Sequence, residues 1–110
     1  AASWANEMFP SRTHDFGTVM RGEKPTYDFV IHNSGRSEAR IKAIRVSCNC
    51  TTAVAASGRI AAGESTILTA TMDTTGFQGS KAVTIYVQFD RPWRAEVTLR
   101  VSCVSQGKLG

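Results

Sequence analysis

An alternation of period two, repeated along four segments, constrains this chain more than any other feature. From Tyr27 the apolar series Tyr27, Phe29, Ile31 falls on one side of an extended backbone, with Asp28 and His32 on the other. Leu68, Ala70 and Met72 repeat the pattern against Thr69 and Thr71. Val83, Ile85, Val87 and Phe89 alternate with Ala82, Thr84, Tyr86 and Gln88, and Ala95, Val97, Leu99, Val101 and Cys103 alternate with Glu96, Thr98, Arg100 and Ser102. Successive side chains of a strand leave on opposite faces, whereas a helix would need its apolar residues three and four apart. One apolar and one polar face is the signature of antiparallel sheets packed on one side. The segments are also rich in Val, Ile, Thr, Tyr and Phe, which suit a pleated surface. The expected fold class is all-β.

Turn-forming residues separate these segments at short, regular intervals: Arg21-Gly22-Glu23, Asn33-Ser34-Gly35, Ser57-Gly58, Ala62-Gly63-Glu64, Gly76 to Gly79 and Asp90-Arg91-Pro92. Between them we read about seven strands, near 14–19, 25–32, 38–47, 51–55, 64–73, 80–90 and 95–104. The third carries a fault in phase. Ile41 and Ala43 share one face, and Ile44, Val46 and Cys48 the other. A β-bulge, or a strand changing sheets near Ala43-Ile44, produces such a switch. Neither repeats nor linkers divide the chain, so residues 14–104 are expected to form one sandwich. Residues 1–13 are an N-terminal extension or an extra edge strand, and 105–110 a C-terminal tail. Trp4, Met8 and Phe9 give the extension apolar residues with which to pair or to pack on the rim.

With 110 residues, the chain has the size of one ordinary domain. It is 42% hydrophobic and 20% charged, which argues against disorder throughout. No run approaches the roughly 20 apolar residues of a membrane-crossing helix. The net charge of +4 favours acidic partners, but the 13 Lys and Arg residues are scattered from Arg12 to Lys108. Nucleic-acid binding is not expected without a basic patch interleaved with aromatics.

Cysteine carries the most chemical information. Cys48 and Cys50 form a C-x-C within Ser47-Cys48-Asn49-Cys50-Thr51, and Cys103 sits in the last strand. The three are candidates for a disulfide, with Cys103 joined to Cys48 or Cys50. The alternatives are a strained bond within the C-x-C and three reduced, mostly buried thiols. As metal ligands the same three are weak candidates, because structural zinc takes four ligands and commonly C-x2-4-C pairs. His14, read as preceding the first strand, and His32, on a polar face, complete no evident soft-metal set.

A cysteine nucleophile would need a base in reach and a depressed pKa, and no cysteine lies in a Gly-rich turn or at a helix start. A G-x-S-x-G elbow and a phosphate-cradling glycine loop are both missing. No catalytic residue and no cofactor are therefore assigned. Asn49-Cys50-Thr51 fits the N-glycosylation pattern, which chance produces often.

Arg40, Lys42 and Arg45, with Arg36 just before them, are candidate interaction residues of an anion- or acidic-protein-binding edge. Read otherwise, they are solvated charges that block unwanted strand pairing. Trp93 in Arg91-Pro92-Trp93-Arg94 is the fourth interaction candidate, as an exposed recognition residue or a cap on the open end of the sandwich.

Read in order, Asp15-Phe16-Gly17-Thr18-Val19, Gly22-Glu23, Tyr27-Asp28-Phe29, Asn33-Ser34-Gly35, the C-x-C segment, Ile60 to Ser65 and Asp73 to Gly79 form a recognisable set. The set resembles a bacterial family of exported domains of unknown function marked by a Cys-Gly-Cys-Thr signature. That family is similar in fold to Hydin-type (ASH) and major-sperm-protein modules. Here Asn49 stands where the family has Gly, and Cys103 is additional. The resemblance implies an immunoglobulin-like antiparallel β-sandwich that is exported and non-enzymatic, and it carries no defined ligand. The function expected for the chain is a structural or protein-binding module of the periplasm, envelope or exterior, with the pairing of an exposed edge strand as one mode of contact. The alternative function is a thiol-based metal or redox protein built on the C-x-C pair.

Overall fold

The alternating segments close into two sheets around a shared interior. A computed structural model describes residues 3–107. A short helix α1 (Ser3–Asn6) is followed by β1 (Thr13–Met20), β2 (Thr26–His32), β3 (Ala39–Val46), β4 (Thr51–Ala55), β5 (Arg59–Ile60), β6 (Ser65–Met72), a 3-10 turn (Thr74–Gly76), β7 (Gly79–Arg91) and β8 (Ala95–Gln106). One sheet has the order β1-β8-β7-β3-β5 and the other β2-β6-β4. The seven expected strands are all present. The two-residue β5 is added to them, and it is too short to show a period.

Register explains the core. Phe29 faces Leu68 and Tyr27 faces Ala70 across β2 and β6. Val83 faces Val101, Ile85 faces Leu99 and Val87 faces Val97 across β7 and β8. All of these except Tyr27 are buried, together with Ile31, Ile60, Met72 and Phe89. In β3 the phase fault is a bulge: pairing with β7 slips between Arg40 and Ile41 and again between Ile41 and Ala43. The strand stays in its sheet.

Two features depart from the sequence reading. The N-terminal segment is not an extra edge strand. Its short helix and the two residues before Pro10 drive Ala5, Met8 and Phe9 into the interior. Edge-to-face contacts join Trp4 and Phe9 to Phe89 at 5.7 and 6.3 Å, and the Met8 carbonyl accepts the His32 amide at 2.8 Å. The second departure is that β1 pairs with β8 in parallel, whereas every other pair is antiparallel. The physical cause is the first departure. Anchoring residues 4–9 beside Phe89 starts the chain at the end of the sandwich from which β8 also departs, so both strands run the same way.

The β1–β8 register slips between Asp15 and Thr18, around Gly17 at φ 74°. That conformation is strained for residues with a Cβ, and the Asp15 carboxylate accepts the Gly17 amide at 2.8 Å. His14 lies inside β1 rather than before it and stacks on Tyr27 at 3.7 Å. It therefore closes the seam between the sheets. His32 is exposed, with Nδ1 2.7 Å from Ser65 Oγ.

Asn33, 4% exposed, is a polar post in this interior. Its amide donates to the carbonyls of Ser37 and Ile60, both at 2.8 Å, and its oxygen accepts the Gly35 amide at 3.0 Å. It thus ties β5 to the loop that follows β2.

Candidate functional site

β7 runs from the end of the sandwich that carries the C-x-C to the end that carries Trp93, so the candidate residues fall into three separate places. At the first end, the loop between β3 and β4 folds Cys48 and Cys50 into one disulfide, with Cα atoms 5.2 Å apart. The expected pairing of Cys103 is thereby corrected. Cys103 occupies the inward phase of β8, opposite Lys81, where it is buried and free. Burial, and then the Asp15 carboxylate, push its thiol above the ordinary value, which keeps it protonated and inert.

Lys81 extends the inward phase of Val83 and Ile85 by one step, beyond the last fully buried layer. Its ammonium lies 4.9 Å from the Phe77 ring centre and 4.0 Å from Cys48 Sγ. A cleft of about 240 Å³ opens here, lined by Cys48, Asn49, Cys50, Asp73, Phe77 and Lys81. Asp73 caps the 3-10 turn by accepting the Thr75 amide at 3.0 Å, and that bond holds its carboxyl below the usual range. Sequence reasoning missed Lys81 as a site residue. Its phase with Val83 was the available signal. Among the described residues, no group of three or more His, Cys, Asp or Glu side chains gathers to hold a metal, and the weak metal candidates Cys48, Cys50 and Cys103 do not converge as one set.

The basic strand is largely occupied internally. Arg40 does not lie on an open edge, because β3 has β7 on one side and β5 on the other at that residue. Its guanidinium grips the Asp90 carboxylate through two bonds, one of them Nε to Oδ1 at 2.9 Å. Arg45 stacks on Tyr86 at 5.0 Å and reaches Glu96 at 3.7 Å. Lys42 is exposed, makes no ion pair among the described residues, and lines a cleft with Arg94.

The Arg40 bonds hold the Asp90 carboxyl below the ordinary carboxylate range. A depressed folded-state pKa contributes stability that is complete above the unfolded value and is lost as pH falls through the folded one. Asp90→Asn is therefore expected to lower the urea midpoint at neutral pH and to flatten its fall in acid. Midpoints measured from about pH 7 to about pH 3 test this, and parallel curves for the two proteins would show that the pair does not act.

At the opposite end, the β7–β8 hairpin presents Trp93, 68% exposed. Its ring meets Trp4 edge-on at 6.2 Å, and Trp4 in turn rests on Phe89. A cleft of about 230 Å³ lies beside it, lined among others by Trp4, Met8, Asn33, Arg36, Pro92 and Trp93. One edge of Trp93 covers the end of the sandwich, while most of its ring faces water.

Residues 8–103, which include the C-x-C, match the family described as a protein of unknown function (DUF1573). The chain belongs to that family. This DUF1573 domain is similar in structure to a protein of unknown function from Porphyromonas gingivalis W83, with 25% identity and a TM-score of 0.75 over 86% of this chain and 44% of that one. It thus spans less than half of that protein's length. It is also similar to the ASH/PapD-like domain 7 of human CEP192, with 12% identity and a TM-score of 0.77, covering 92% of this chain and 85% of that one. The YadV chaperone follows the same fold at 12% identity and a TM-score of 0.63, covering 93% and 53%. Comparison with curated proteins gives no match. The DUF1573 domain is an immunoglobulin-like β-sandwich with ASH-like neighbours, and no helix among its described residues is long and apolar enough to cross a membrane.

Proposed function

We propose that this DUF1573 chain is an exported, non-enzymatic protein-binding module that docks through the end of the sandwich bearing Trp93. The observation that carries the reading is an exposed indole, Trp93, set edge-on against the half-buried Trp4, which in turn meets the buried Phe89 edge-on. An aromatic anchor already held in place gives up little freedom on binding, which is what makes such residues dominate interfaces. The adjoining cleft takes an apolar side chain against Trp4 and Met8, and Arg36 at its rim suits a neighbouring carboxylate. Of the interaction candidates, Trp93 is thus favoured over Arg40 and Arg45, whose charges are matched by Asp90 and Glu96. The likeness to a chaperone fold supports a protein partner, and the Cys48–Cys50 disulfide supports an oxidising compartment.

A photo-crosslinking amino acid placed at Arg94, exposed beside an intact Trp93, in protein expressed in the source cells, is expected to trap a discrete protein adduct. The same group at Val30, exposed on the outer face of β2, is expected to trap none. Adding Trp93→Ala to the chain that carries the probe at position 94 removes those adducts while costing only about 1 kcal/mol of stability, as an exposed site allows. Adducts from position 30 alone, none from position 94, or adducts at position 94 that survive Trp93→Ala would overturn the assignment.

A further inference from the structure

We propose that Cys48 and Cys50 are a reversible dithiol–disulfide site that exchanges with an external dithiol, with Cys48 as the departing thiolate and Lys81 as the positioning residue that stabilises it. The proposal stands apart from the docking role of Trp93, which lies at the other end of the sandwich.

The two sulfurs are not equivalent. Cys48 Sγ accepts the Cys50 backbone amide at 3.2 Å and lies 4.0 Å from the Lys81 ammonium. Among the described residues, Cys50 Sγ has only the Thr51 hydroxyl, at 3.5 Å. A nearby ammonium and an amide donor favour the thiolate over the thiol, and the sulfur with the better-stabilised thiolate leaves faster.

Strand alternation fixes Lys81 on the inner side of β7, where an aliphatic residue would otherwise extend the core. Among the described residues its charge meets no carboxylate in an ion pair. Asp73, in the same cleft, is engaged with the Thr75 amide. Both cysteines are half-buried, and the cleft opens on them.

Exchange proceeds in two balanced steps. A thiolate of the external dithiol attacks Cys50 Sγ; a new S–S bond forms, the Cys48–Cys50 bond breaks, and its electron pair departs on Cys48 toward Lys81. The second thiol of the reductant, having lost its proton to water, then attacks its own partner sulfur in the mixed disulfide. It becomes a cyclic disulfide and releases Cys50, which takes up a proton. The chain gains two electrons and the external dithiol loses two. Cys103 takes no part, being buried and protonated.

The test uses the full chain carrying Cys103→Ala, with dithiothreitol as the external dithiol. Reduction is followed by alkylation and mass spectrometry, and folding by circular dichroism. The pair is expected to be reduced while the β spectrum persists. A limiting pulse of iodoacetamide near neutral pH should tag Cys48 about fivefold more than Cys50, because the thiolate is the reactive form. Lys81→Met should slow reduction about tenfold and equalise the tagging, and Lys81→Arg should restore most of both. Equal tagging of the parent chain, an unchanged rate in a folded Lys81→Met chain, or reduction only after unfolding would overturn the proposal.

Discussion

Phe29→Asp is expected to yield no folded protein. Phe29 is 1% exposed, sits midway along β2 opposite Leu68 of the central strand β6, and meets Tyr27 edge-on at 4.9 Å. Replacing it removes an aromatic contribution of roughly 3–5 kcal/mol and sets a carboxyl among apolar side chains. Even with that carboxyl protonated, an unpartnered polar group costs about 1–3 kcal/mol more. The sum rivals the roughly 5–15 kcal/mol that holds an ordinary domain together. His32→Asp, three residues along the same strand on the wet face, forfeits only the Ser65 contact and should cost about 1 kcal/mol or less. Far-ultraviolet circular dichroism and thermal melts distinguish the two, and similar losses would contradict the assignment of faces in β2.

The second large effect concerns the seat of the N-terminal segment. Phe89→Ala should cost roughly 3–5 kcal/mol, because Trp4 and Phe9 both pack on that ring. The distribution of the loss is as informative as its size. With its central ring gone, the segment carrying Ala5, Met8 and Phe9 should loosen first, so limited proteolysis is expected to cut before Thr13 under conditions that leave β1 to β8 intact. A melt shifted by the same amount with no new cleavage would mean that other contacts hold the segment.

Local periodicity made most of the architecture legible. Leu68, Ala70 and Met72 in β6 and Val83, Ile85, Val87 and Phe89 in β7 are buried, and so are Val97, Leu99, Val101 and Cys103 in β8. Even the bulge in β3 was visible, as a broken phase between Ala43 and Ile44. What escaped detection depends on elements far apart in the chain. Arg40 and Arg45 looked like a free basic face because Asp90 and Glu96 lie about fifty residues away, on strands whose neighbours no local pattern specifies. Cysteine pairing depends on where loop and strand ends meet, so the direct bond across Asn49 could not be distinguished from a bridge to Cys103. Asn33 looked like a turn residue, and its buried role appears only once β5 is placed beside it.

The parallel pairing of β1 with β8 has a mechanical consequence. Chain entering at Thr13 comes from the pole at which Trp4 is seated, and chain leaving at Gln106 departs at the opposite pole, along a body 51 Å long. Tension applied through those two points draws the neighbouring strands past each other lengthwise. Their rungs are then loaded together, as in a lap joint, and do not open one at a time like a zip. The same domain pulled by its hairpins would yield rung by rung. Its strongest axis therefore runs from pole to pole.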